Sequence, residues 1–180
     1  MLIYEIDRNL FRAECEARGR AKGKAEGKAE GKAEGIYMSN QNYITETLEL
    51  KDSNIIFKEN CCYKEKFKEI IHKVYEGYLT YKPDYCPKCG VVFDEKFEKH
   101  GFIISNIKLP DVSGFKTILR LHKQRYLCKH CMKAFTLSTP ITNYGCFISN
   151  NTKHKIACDL TKKRSEKDIA FDNNVSPNTV

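Results

Sequence analysis

Two Cys-x-x-Cys pairs, Cys86-Pro-Lys-Cys89 and Cys128-Lys-His-Cys131, stand 38 residues apart. Each pair can close a tight turn that aims two thiolates at one point. Two such turns make a tetrahedral shell of four sulfurs, which suits Zn²⁺ and leaves no open position for catalysis. The gap exceeds the usual spacing of about 15–20 residues. Doubling a loop costs only about 0.6 kcal/mol of closure entropy, against ~10–16 kcal/mol for structural zinc binding in small peptides. A dithiol redox site would need one pair and a thioredoxin-like βαβ context, which the surrounding residues do not supply. Two alternatives stay open by residue type: a rubredoxin-like iron site on the same ligands, and a site in which His130 replaces one cysteine.

Nine cysteines among 180 residues would suit a disulfide framework only in an exported chain. The opening Met1-Leu-Ile-Tyr-Glu-Ile-Asp7 brings acids early and has no signal-peptide core. No apolar run approaches the ~18 residues of a membrane span. The expectation is a cytoplasmic chain whose grouped cysteines bind metal.

The residues around the pairs point to an α+β fold. Phe67, Ile70, Ile71, Val74, Tyr75 and Tyr78 follow helical spacing, with Lys64, Lys66, Lys68, Glu69 and Lys73 facing away. This predicts an amphipathic helix over 63–77, ended by Gly77. The adjacent Cys61 and Cys62 cannot easily face one metal and are expected to be structural. Tyr81–Tyr85 is an extended lead-in to the first pair. Thr117–Leu121 and Gln124–Cys128 flank His122-Lys123, predicting a β-hairpin that delivers the second pair, hence a zinc ribbon.

Charge is unevenly spread. Residues 1–37 hold 8 basic and 7 acidic residues, 38–120 hold 13 and 12, and 121–180 hold 10 and 4. Most of the net +8 therefore sits in the last third. A basic excess of that kind suits a phosphate backbone, although a solvated lysine-rich face has the same composition. The candidate phosphate contacts are Arg120, Lys123, Arg125, Lys129, Lys153, Lys155, Lys162, Lys163 and Arg164.

The head is of another kind. Gly19–Gly35 repeats Gly-Lys-Ala-Glu, stacking lysines with lysines and glutamates with glutamates at i,i+4. Each glycine costs about 1 kcal/mol relative to alanine in a helix, so a frayed or flexible linker is expected. Met1–Arg18 is amphipathic and predicts one short helix. Composition changes at Met38, which places a boundary at residue 37 or 38.

The last segment reads as a helix-turn-helix. Thr152–Lys162 carries Ile156, Ala157 and Leu160 on one side, with Asn151 or Thr152 as cap and Cys158 expected in the core. Ser165-Glu-Lys-Asp168 starts a second helix with Ile169, Ala170 and Phe171 as its apolar residues. Asp172–Asn174 makes a turn, Val175 is expected to be buried, and Ser176 caps a third element with Pro177 at its first position. The run resembles the bacterial helix-turn-helix pattern, which implies that Asn178 and Thr179 are the first side chains to reach base edges in the major groove, with the cap Ser176 counted among the DNA-binding residues.

Several of these runs resemble the N-terminal region of insertion-sequence transposases of the ISL-three type. They are Leu79–Gly90, Arg120–Tyr126, Cys128–Cys131, Phe147–Ile156 and Asp168–Val180. That likeness covers roughly residues 38–180. It implies a zinc ribbon with Cys86, Cys89, Cys128 and Cys131 as ligands, followed by a helix-turn-helix, both binding the terminal inverted repeats of the element. Met132 departs from the pattern, standing where a second-knuckle glycine is common in zinc ribbons. The DDE catalytic domain that comes next in such transposases has no counterpart up to Val180, so a truncated, non-enzymatic fragment is expected. The Gly-Lys-Ala-Glu repeat is similar to the tails of recombination-promoting nucleases of the PD-(D/E)XK type, without their catalytic core. The expected organisation is head and linker 1–37, helix plus zinc ribbon 38–140, and incomplete helix-turn-helix 141–180. A small zinc-ribbon regulator or adaptor that binds RNA or protein is the alternative.

Overall fold

A computed structural model describes residues 40–67, 69–92 and 97–180. The expectations for the head, its repeat and the boundary at 37 or 38 lie outside these residues. Two compact units divide the chain, Met1–Asn42 and Tyr43–Val180. The second unit holds the sheet and both cysteine pairs, and residues 40–47 form a helical segment, α1.

Strands dominate. β1 (Ile55–Phe67), β2 (Ile70–Leu79), β3 (Phe97–Val112), β4 (Phe115–Cys128) and the short β5 (Lys133–Thr136) form one sheet in the order β1-β2-β4-β3, with β5 also on β4. β1–β2, β3–β4 and β4–β5 pair antiparallel, whereas β2 and β4 run parallel in the centre. One face holds the main core, in which Ile55, Leu79, Ile107, Leu109, Leu119 and Leu121 are fully buried.

The helix expected over 63–77 is instead a β-hairpin. Phe67 pairs with Ile70 and Ile55 with Leu79. The stripe that fits helical spacing is rich in β-branched and aromatic residues, which favour a pleated surface. Buried positions alternate in two stretches of β2, His72 and Val74 on one face and Tyr75, Gly77 and Leu79 on the other, while Ile70 and Ile71 are exposed. Gly77 does not end an element. It lies inside β2, where an added Cβ would stand 3.1 Å from both Ile55 Cγ2 and Phe57 Cε1. The glycine lets neighbouring core side chains close over the strand.

A second expectation is corrected in β4. There is no turn at His122-Lys123, because Phe115–Cys128 is one continuous strand. Both flanks of that strand have neighbours to bond: β2 covers Lys116–Lys123 and β3 covers Phe115–Cys128. The His122 side chain bonds Glu76 at 2.6 Å and stacks on Tyr78.

The tail is helical. α2 (Asn150–Leu160) begins at Ser149, whose side chain accepts from the Thr152 N–H, so the cap lies upstream of the expected Asn151 or Thr152. α3 (Glu166–Asp172) is capped by Ser165, and a 3₁₀ turn, Pro177–Thr179, comes after Ser176. Hydrogen bonds tie this tail to the sheet. Thr152 Oγ1 donates to Lys108 O (3.1 Å), and Lys116 Nζ donates to Asp172 O (2.5 Å). Ile156, Ile169 and Ala170 are buried. Ala157, Leu160 and Phe171 are exposed and Val175 is half-buried, against expectation. Cys158 is also exposed rather than core, with its sulfur 3.7 Å from His154 Nε2. Of the adjacent pair, Cys61 is buried and Cys62 exposed, as strand alternation requires.

Candidate metal centre and basic surface

The first knuckle forms just beyond the sheet. Cys86 N–H donates to Val91 O (2.8 Å), Gly90 N–H returns to Cys86 O (2.8 Å), and Tyr85 bridges Val92. Gly90 takes a positive φ of 73°. The second knuckle is the β4–β5 turn, where Cys128 pairs with Lys133. There Met132 adopts φ 55°, the left-handed conformation that glycine takes in the first knuckle. Beneath the second knuckle, Tyr126 stacks on Phe135, and Phe97 meets Phe135 edge-on. Tyr126 Oη donates to Tyr81 O (3.1 Å), and Tyr81 Oη donates to Ser138 O (3.0 Å). These bonds pin the lead-in to the first knuckle against the second.

The two knuckles bring Cys86, Cys89, Cys128 and Cys131 together, with all four sulfurs within 4.8 Å of one another. Cys86 Sγ lies 3.9 Å from Cys131 Sγ, and Cys89 Sγ lies 3.8 Å from Cys128 Sγ. A regular tetrahedron with Zn–S bonds of about 2.3 Å has edges of about 3.8 Å. The donor set and its spacing therefore fit structural zinc binding. Among the described residues no other group of three or more His, Cys, Asp or Glu side chains could hold a metal. His130 is not in the cluster.

The site moves its two first-knuckle thiols in opposite directions. Burial pushes the Cys86 thiol up, but N–H groups of Lys88 and Cys89 and the neighbouring thiols outweigh it and bring it down to about 7. At Cys89 the Val91 N–H pulls downward, yet burial and the other sulfurs push the thiol up to about 12. Four anionic sulfurs at this spacing repel one another, and a divalent cation removes that repulsion. Zinc would thus lock the lead-in strand to the end of β4. The N–H donors of Lys88, Cys89 and Val91 are site residues that the cysteine spacing does not name. Their signal is the knuckle turn itself, whose backbone points N–H groups at sulfur.

The basic candidates fall into two sets with different surroundings. On β4, Arg120 donates to Tyr63 Oη (2.6 Å) and to Glu65 (2.8 Å), so it is engaged within the sheet. Lys123 is half-buried, and desolvation lowers its pKa. Arg125 is half-buried on β4, and Lys129 in the second knuckle pairs with Glu98. On the tail, Lys162 pairs with Asp159 (2.8 Å) and Arg164 with Asp172. Lys153 and Lys155 lie half-buried on α2, while Lys163 is exposed at its exit. Ser176 Oγ bonds Thr179 Oγ1 (2.7 Å), and Asn178 is exposed beside them.

Comparison with known proteins adds one finding. Residues 82–131 match a family described as the zinc-finger of transposase IS204/IS1001/IS1096/IS1165. The matched segment includes both knuckles and all four clustered cysteines. Neither a curated protein nor a solved structure matches the chain.

Proposed function

We propose that this chain is a DNA-binding portion of a transposition protein, directed to the terminal inverted repeats of an insertion element and carrying zinc as a structural ion. The observation that supports it is the coincidence of the transposase zinc-finger match with the four-sulfur cluster. In this reading the chain binds DNA and does not cut or join it, and it acts in the cytoplasm. Residues 1–37 serve as head and linker, 38–140 as the ribbon domain, and 141–180 as a helix-turn-helix.

Zinc positions the hairpin that carries Arg125 and Lys129. Lys153, Lys155, Lys162, Lys163 and Arg164 along α2 and its exit take the phosphates. Arg120 and Lys123 contribute less, one being held by Glu65 and the other half-buried. Lys162 and Arg164 exchange carboxylate partners for phosphates, so their net gain is small. Ser176, Asn178 and Thr179 face base edges.

The test compares a duplex bearing an inverted repeat of an ISL-three-type element, a scrambled duplex and a single-stranded RNA, each titrated across salt. With about four phosphates neutralised, log K should fall with log salt at a slope near −4. Tighter binding to the inverted repeat with a steep salt slope is expected. A flat salt response, or preference for the RNA, overturns the reading in favour of an RNA- or protein-binding ribbon.

A further inference from the structure

The two edges of the sheet differ. β1 carries Lys58, Glu59, Lys64, Glu65 and Lys66, and its register with β2 breaks between Phe57 and Cys62. Charges and irregularity of this kind discourage pairing with another strand. β3 closes the other side of the order β1-β2-β4-β3. Its stretch from Gly101 to Ile107 has no charged residue. Phe102, Ile103 and Ile104 are 46%, 42% and 56% exposed.

The backbone direction on this edge is set by Lys108. Its N–H donates outward to Phe147 O (2.8 Å), and its carbonyl accepts from the Ser149 N–H (3.0 Å). Register with β4 is unbroken from Phe102 to Leu109. Strand alternation therefore turns the N–H and C=O groups of Asn106, Ile104 and Phe102 the same way, away from β4. Among the described residues no strand pairs with that side of β3.

We infer that β3 pairs antiparallel with β3 of a second copy of this chain, about a two-fold axis at Ile104. The available window has that symmetry. Phe102 and Asn106 stand two residues on either side of Ile104. At one end the strand bends away at Gly101, which has φ 71° and lies within the register break between Lys99 and Phe102. At the other end the chain's own Phe147–Ser149 segment occupies Lys108. Centring on Ile104 opposes Phe102 to Asn106 of the copy and Ile104 to itself, and makes about six inter-chain hydrogen bonds. The same surface is used on both copies, so the assembly closes at two. The charged, broken β1 edge gives a third copy no regular strand to join.

The test uses the zinc-loaded full chain in sedimentation velocity across the micromolar range. A two-chain mass is expected, with Ile104→Lys weakening association by at least about tenfold through like charges placed directly opposite. Ile56→Lys on β1 should leave the mass unchanged, and equal zinc content in both variants reports an intact fold. As a second readout, Ile104→Cys should form a chain-to-chain disulfide at position 104 under mild oxidation. Directly opposed residues of this type have Cα atoms about 5.5 Å apart, within disulfide reach. A one-chain mass at every concentration, a dimer that Ile104→Lys does not weaken, or no linkage at position 104 overturns the inference. None of these outcomes depends on DNA binding.

Discussion

The sulfur of Cys86 stands 3.9 Å from that of Cys131, so the first cysteine of one knuckle meets the last of the other across 45 positions. Cys86 and Cys128 are buried at the inner side of the cluster. The β4–β5 turn supplies one partner and the first knuckle, beyond the sheet, the other, and a metal is the natural bond between them.

Elemental analysis should therefore find one zinc per chain. Cys128→Ser should abolish it, and chelation should lower Tm markedly, since structural zinc sites contribute on the order of 10 kcal/mol. A chain that keeps its Tm without metal, or that carries iron with visible absorption, would count against a structural zinc.

Met132 is 71% exposed, so its side chain contributes little packing, yet its φ of 55° is one that glycine adopts more readily. Met132→Gly should stabilise the metal-loaded protein by about 1 kcal/mol. Thermal melts of the two proteins decide it, and a lower Tm in the variant refutes the strain.

Gly77 is the opposite case. A Cβ there would meet Ile55 and Phe57 at 3.1 Å. Both neighbours are buried core side chains, so Gly77→Ala should cost about 1–3 kcal/mol through overpacking. Urea denaturation should show a lower midpoint at unchanged slope.

The two basic sets should separate by experiment. Lys163→Ala should lower the magnitude of the DNA-binding salt slope by about one. Arg120→Ala should leave the slope nearly intact and reduce stability, because Tyr63 and Glu65 lose their shared partner. Equal effects of both on DNA affinity would contradict the division.

Asp159 ties the tail together. The Lys162 ammonium and then the Asn173 amide hold its carboxyl below the usual carboxylate range. The unfolded chain then binds the extra proton as pH falls, so this contribution is full above the ordinary carboxylate pKa. It is lost as pH drops through the lower folded value. Helical signal from α2 and α3 should weaken in acid, and Asp159→Asn should flatten that dependence. An unchanged acid profile in the variant would remove Asp159 from the account.

The candidate metal site was legible because a knuckle is local: four residues and their turn bring two sulfurs together wherever they lie in a fold. The start of α3 was legible at Ser165 for the same reason, its hydroxyl accepting from Asp168 N–H three residues on. Residues 70–79 were not, because Ile70, Ile71, Val74 and Tyr75 satisfy helical spacing as well as they fit a strand. The basic set was legible as composition but only in part as availability: Asp159 lies three residues from Lys162, but Glu65 and Glu98 reach Arg120 and Lys129 from distant strands, and Asp172 reaches Arg164 from α3.

By itself the sequence determined the four clustered cysteines, the uneven charge and the Ser165 cap that starts α3, while it missed Ser149 as the cap of α2. Tertiary structure decided that 63–77 is a hairpin, that 115–128 is one strand, and that several cations are already paired. Strand formation needs partners that only long-range pairing provides. Here a parallel β2–β4 contact joins residues some 44 positions apart, from His72↔Lys116 to Leu79↔Lys123. Its hydrogen bonds, rather than the local periodicity, hold β2 extended.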